Sequence, residues 1–139
     1  MVTPQRLSEI KNILEKDNRI VFAYLFGSVA QSKHNKLSDV DIAVYIDDTY
    51  GIYDIRRDLI ITISDIFKTY NVDVVILNTA SPFMVHSVIK TGKLLLSKDE
   101  KLRISFIHKN LKEFMDMEYY RDRFQKALSE RIESGRYGF

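Results

Sequence analysis

Residues 20–46 read IVFAYLFGSVAQSKHNKLSDVDIAVYI, and they decide the fold. Ile20–Phe26 is a continuous apolar run, β-branched and aromatic, that stops at Gly27. A run of that kind bounded by glycine predicts a strand buried on both faces. Val40–Ile46, VDIAVYI, predicts a second strand. Successive side chains on a strand point to opposite faces, so Asp39 and Asp41 share one face. Val40 and Ile42 point the other way, into a core.

The flanking segments fill in the architecture. Thr3 is placed to cap a helix that starts at Pro4 and carries Leu7, Ile10 and Leu14 at helical spacing. Ile52, Ile55, Leu59, Ile63 and Ile66 or Phe67 mark a second helix, and Asn71–Leu77, NVDVVIL, a third strand. Ser81–Pro82 starts a short helix that ends at Gly92, and Lys93–Leu96 is a short edge strand. Ser97 with Glu100 matches a capping box, opening a long helical stretch through Leu102, Phe106 and Phe114. A break is expected near Met117–Tyr120, after which Phe124, Leu128 and Ile132 resume the stripe, and the tail from Ser134 should fray. The fold class that follows is α/β (α+β): a small mixed sheet flanked by helices, with a C-terminal helical extension. One domain spans residues 1–139, with a core over 1–96 and an extension over 97–139 as the expected partner-binding element.

Composition narrows the chemistry. The chain has 139 residues, 45% of them hydrophobic, enough for one core and too apolar for a disordered regulator. It contains no Cys, which excludes disulfides, a thiol nucleophile and Cys-ligated metals. The 21 basic and 19 acidic residues are too balanced to indicate a nucleic-acid partner, and no basic-aromatic platform is present. The apolar runs are short and interrupted by charge, so no membrane span is expected, and the N-terminus lacks the apolar stretch of a leader. A cytoplasmic location is the expectation.

The chemistry lies between residues 26 and 46. Two same-face carboxylates repel unless a cation or a shared proton compensates. With oxygen donors and no thiols, the natural cation is Mg²⁺. Asp73 sits in an apolar strand; beside the Asp39–Asp41 strand it would complete a three-acid cluster of the kind that two-metal phosphoryl or nucleotidyl transfer uses. Gly27 lets backbone approach a phosphate, Ser28 offers an N–H and a hydroxyl, and Lys33 and Lys36 can offset phosphate charge. A Gly-Ser turn alone carries no information, and an Asp-x-Asp also occurs on solvated strand faces. Asp73 alone is equally an edge-strand charge, and the two lysines ordinary loop charges. The conjunction is what points to chemistry.

Gly27-Ser28, ten intervening residues and Asp39-x-Asp41 resemble the signature of the DNA polymerase β-like nucleotidyltransferase superfamily. The chain is more closely similar to its minimal members, the MntA-type adenylyltransferase antitoxins of HEPN/MNT toxin–antitoxin systems. The likeness runs over about residues 19–100 and includes Asp73, the helix from Pro82 and GKLLLSKDE. It implies that Asp39 and Asp41 bind Mg²⁺, that Asp73 is the third carboxylate and helps deprotonate the acceptor, and that Gly27 and Ser28 hold the triphosphate of ATP. It also implies transfer of AMP to a tyrosine of a HEPN ribonuclease toxin, which silences it. The sequence departs from the family's G-S-x-A-R-G run at Gln31 and Ser32, where Lys33 or Lys36 is placed to substitute for the missing arginine.

Two alternatives stay open at this point: transfer to a small molecule such as an aminoglycoside, and neutralisation by contact alone. The first needs room for a substrate domain, and 43 residues after Leu96 provide little. Among other residues, His34, His86 and Lys90 are weak candidates for the cleft, His108 reads as structural or surface, and Asp47 and Asp48 as turn residues. Tyr119 and Tyr120 read equally as part of a protein interface or as a pair of which one packs on the core.

Overall fold

The computed structural model describes residues 3–27, 40–47 and 49–133. Helix α1 (Pro4–Lys16) begins as its sequence predicts: the Thr3 hydroxyl accepts from the Arg6 N–H, and Pro4 has no N–H to leave unpaired. There follow β1 (Ile20–Phe26), β2 (Val40–Ile46), α2 (Ile52–Phe67), β3 (Val72–Ile76), a single 3-10 turn (Leu77–Thr79), α3 (Pro82–Thr91), β4 (Lys93–Ser97) and α4 (Glu100–Glu133). The sheet order is β3-β2-β1-β4. β1 runs antiparallel to both β2 and β4, while β3 lies parallel to β2 with α2 as the crossover.

The expected third strand is one residue shorter at each end than Asn71–Leu77. The Asn78 side chain accepts from Ile46 N–H and donates to Ile46 O, both at 2.9 Å, which turns the chain after Ile76. Leu77 is then buried on the opposite face of the sheet from Ile76.

Two apolar layers sandwich the sheet. Ile10 and Leu14 of α1 and Ile55, Leu59, Ile63 and Phe67 of α2 pack on the face formed by Val40, Ile42, Val44 and Val74. Each such burial contributes about 2 kcal/mol. On the other face Phe22, Tyr24, Phe26 and Ala43 meet Val85 and Val88 of α3 and, through Phe106, α4. Phe22 stacks on Tyr45 at 4.9 Å, and Phe106 closes against both rings. Gly92 ends α3 where a side chain would not fit: a Cβ there would lie 2.4 Å from Val88 O and 3.2 Å from Leu25 O.

The C-terminal region differs from its sequence expectation in two respects. The helix is capped by Asp99, whose carboxylate accepts from Leu102 N–H, because Ser97 is still strand and pairs with Phe22. No break occurs at Met117–Tyr120; α4 is continuous over 34 residues. The apolar spacing lapses there because the helix leaves the core, not because the chain turns. Tyr119 and Tyr120 are both exposed and pack on each other, ring centroids 5.5 Å apart. Among the described residues no helix is long and apolar enough to cross a membrane.

Candidate active site

β1 ends at Phe26 and is followed by Gly27, whose φ of 79° lies in the left-handed region that favours glycine. At this same end of the sheet β2 and β3 begin. Phe26 pairs with Asp41 on β2, and Asp41 pairs with Asp73 on β3. The parallel register therefore puts two of the three expected acids side by side, on strands about 4.8 Å apart. Both lie on the α3–α4 side of the sheet, because their neighbours Val40, Ile42 and Val74 pack toward α1 and α2. The expectation that Val40 and Ile42 point away from the acids into the core holds.

The two carboxylates sit in different surroundings. Asp41 is 5% exposed and, with Asn110, one of two buried polar or charged residues among those described. The Asn110 amide donates to Phe106 O within its own helix. Asp73 is on the sheet's edge strand with its side chain 43% exposed. Its Oδ1 takes a 3.3 Å ion pair from Arg56 Nη2, and Arg56 Nε donates to Val74 O at 2.8 Å. Arg56 comes from α2, beneath the opposite face, and reaches around the sheet edge. Sequence reasoning missed it: next to Arg57 and Asp58 it looks like one more charge on a solvated helix face.

Beyond Asp73 an open groove of about 660 Å³ follows the outer edge of β3. Tyr53, Arg56, Asp73, Thr79, Ser81 and Met84 line it. The site's donor set is carboxylate oxygen, which fits a hard divalent cation such as Mg²⁺ and does not fit a thiophilic metal. Among the described residues no group of three or more acids and histidines gathers to hold a metal. Asp39 lies outside the described residues, as do Ser28, Gln31, Ser32, Lys33, His34, Lys36 and Asp48.

The remaining candidates have structural positions. His86 stacks on Phe114 at 4.0 Å, joining α3 to α4, while Lys90 and His108 are exposed. Asp47 makes a turn, accepting from Thr49 N–H. Two carboxylates elsewhere in the fold are shifted by arginine partners. Arg103 hydrogen-bonds Glu100 and the Tyr24 hydroxyl and holds the Glu100 carboxyl down to about 2. Arg19, shared between Asp17 and Asp58, keeps Asp17 below the usual carboxylate range, chiefly through their side-chain hydrogen bonds.

A family model described as polymerase beta, nucleotidyltransferase matches residues 8–101. The chain belongs to this nucleotidyltransferase family. The nucleotidyltransferase is 28% identical to a chain of a toxin–antitoxin crystallised with AMP-PNP, with a TM-score of 0.68, covering 87% of this chain and 98% of that one. It is 25% identical to a chain of a mutant MntA–HpeT toxin–antitoxin, with a TM-score of 0.71 and coverage of 88% and 98%. A third likeness, at 23% identity and a TM-score of 0.69, covers 90% of this chain and 97% of a chain from a tri-AMPylated Shewanella oneidensis HEPN toxin in complex with its MNT antitoxin. No curated protein sequence matches the nucleotidyltransferase. The family match ends at Lys101, so nearly all of α4 lies beyond it.

Proposed function

We propose that this nucleotidyltransferase is an antitoxin that transfers AMP from ATP to a tyrosine of a HEPN ribonuclease toxin and thereby silences it. The observation that carries the proposal is the register of Asp41 with Asp73 beside Gly27. The likeness to toxin–antitoxin complexes, one of them crystallised with AMP-PNP, supports the choice of donor and partner. Asp39 and Asp41, with Asp73, are the residues that would hold Mg²⁺, which would neutralise the triphosphate and stabilise the leaving pyrophosphate. Gly27, Ser28, Lys33 and Lys36 bind the phosphates. Asp73 accepts the phenol proton as the phenolate oxygen attacks the α-phosphorus. The bond from that phosphorus to the bridging oxygen breaks, and pyrophosphate leaves with its electron pair.

Residues 1–96 form the catalytic core in this proposal, and the extension over 97–139 meets the partner. Met117, Tyr120 and Phe124 lie at helical spacing on α4 and are exposed, an apolar stripe on a charged helix. Co-expression of the chain with its toxin, followed by mass spectrometry of the toxin, tests the proposal. The expected result is a tyrosine adduct of one or more AMP groups that disappears with Asp41→Ala. An adduct that survives loss of both Asp39 and Asp41 would sink the assignment. Full neutralisation by that double variant, with no adduct, would instead make the chain a contact antitoxin.

A further inference from the structure

Asp73 and Asp41 share a register but not an environment. Asp41 is enclosed on the α3–α4 side of the sheet, whereas Asp73 stands at the edge and lines the groove outside β3. Asp73 is held by Arg56, which makes two contacts in two directions. Its Nε donates to Val74 O, an outward carbonyl of the edge strand, and its Nη2 reaches Asp73 Oδ1. The first contact anchors the planar guanidinium on backbone, so the second is made from a fixed position rather than from a swinging side chain. Arg56 also covers a hydrogen-bonding group that an edge strand otherwise presents to solvent.

We infer that Arg56 is a positioning residue, holding the Asp73 carboxylate at the outer edge of the sheet, toward the groove, as the group that meets the acceptor hydroxyl. This rests on the adenylyltransferase reading above. Without Arg56 the Asp73 carboxylate gives up its outward position and bears more closely on the cation it shares with Asp41, and the local negative charge rises. Cation binding and turnover must then move in opposite directions, a result that simple loss of structure does not give, because unfolding weakens both.

The full-length chain tests this as wild type, Arg56→Ala, Arg56→Lys, Asp73→Asn and the Arg56→Ala/Asp73→Asn double variant. Mn²⁺ binding in the presence of AMP-PNP is read by water-proton relaxation, and AMP transfer is followed on the co-purified partner. Arg56→Ala is expected to bind Mn²⁺ about threefold tighter and to lower kcat about tenfold or more. Its KM for ATP stays within about twofold of wild type, because the nucleotide contacts are untouched. Arg56→Lys restores the Mn²⁺ affinity and part of kcat, since it keeps the charge but not the two-directional fork. In the Asp73→Asn background the tightening shrinks. Wild-type kcat in Arg56→Ala, weaker Mn²⁺ binding, or tightening of equal size without Asp73 overturns the inference. Should the wild type transfer no AMP to any acceptor, the adenylyltransferase reading falls, and the Mn²⁺ measurements still decide whether Arg56 governs Asp73.

Discussion

Arg103 shows how one side chain ties the long helix to the sheet. Its guanidinium is held between Glu100, one turn back in α4, and the hydroxyl of Tyr24 on β1. The Glu100 carboxyl is lowered to about 2, first by its hydrogen bonds to Arg103, and Asp17 is lowered by Arg19. A carboxyl whose pKa is depressed by folding contributes stability above its unfolded value, and that contribution is lost as pH falls through the folded value. Stability should therefore decline between about pH 5 and pH 2. Urea midpoints measured across that window should fall less steeply in Arg103→Ala, because the largest cause of Glu100's depression is then removed. A slope equal to wild type would show that Glu100 is not held by Arg103. At this scale residue type and spacing singled out Gly27, Asp41 and Asp73, and the register gathers them at one end of the sheet. They did not single out Arg56, because nothing local distinguishes a guanidinium that wraps a strand edge from one that points at solvent.

The elements were legible to within a residue or two wherever a local signal ends them. Thr3 and Ser81 cap α1 and α3 as read, each followed by proline at the first helical position. β1 and β2 begin and end as their apolar runs do. In α4 hydrophobic periodicity and helix continuity part company: the stripe lapses at Met117–Tyr120 and the helix does not. No Gly or Pro interrupts residues 100–133, so the helix persists after its packing partner ends. A helix with that much exposed surface depends little on Phe124, which is 67% exposed. Phe124→Asp should change unfolding stability by about 0.5 kcal/mol or less. Where α4 is the partner-binding element, the same variant should abolish co-purification of the toxin. Retention of the complex at wild-type yield would move the interface elsewhere.

Across the whole molecule, the second apolar layer joins the sheet to both C-terminal helices, and Phe22 lies at its centre. It is fully buried, stacked on Tyr45 and in contact with Phe106. Phe22→Ala should cost about 3–5 kcal/mol in chemical denaturation, through lost burial and the cavity left behind. A loss under about 1 kcal/mol would mean that the aromatic layer collapses freely into the space. Local sequence signals were enough for the strands, for α1 to α3 and for the facing of Val40 and Ile42 away from Asp41. Those follow from side-chain period, caps and residue type, all of which act within a few neighbours along the chain. The parallel, in-register pairing of β3 with β2, which sets Asp73 beside Asp41, is visible only once the chain is folded. The same holds for β3 as an edge strand with Arg56 folded around it and for α4 running on beyond the core. Such pairings join residues far apart in the chain, and the free energy that selects them comes from burying two faces of one sheet together, which no single segment encodes.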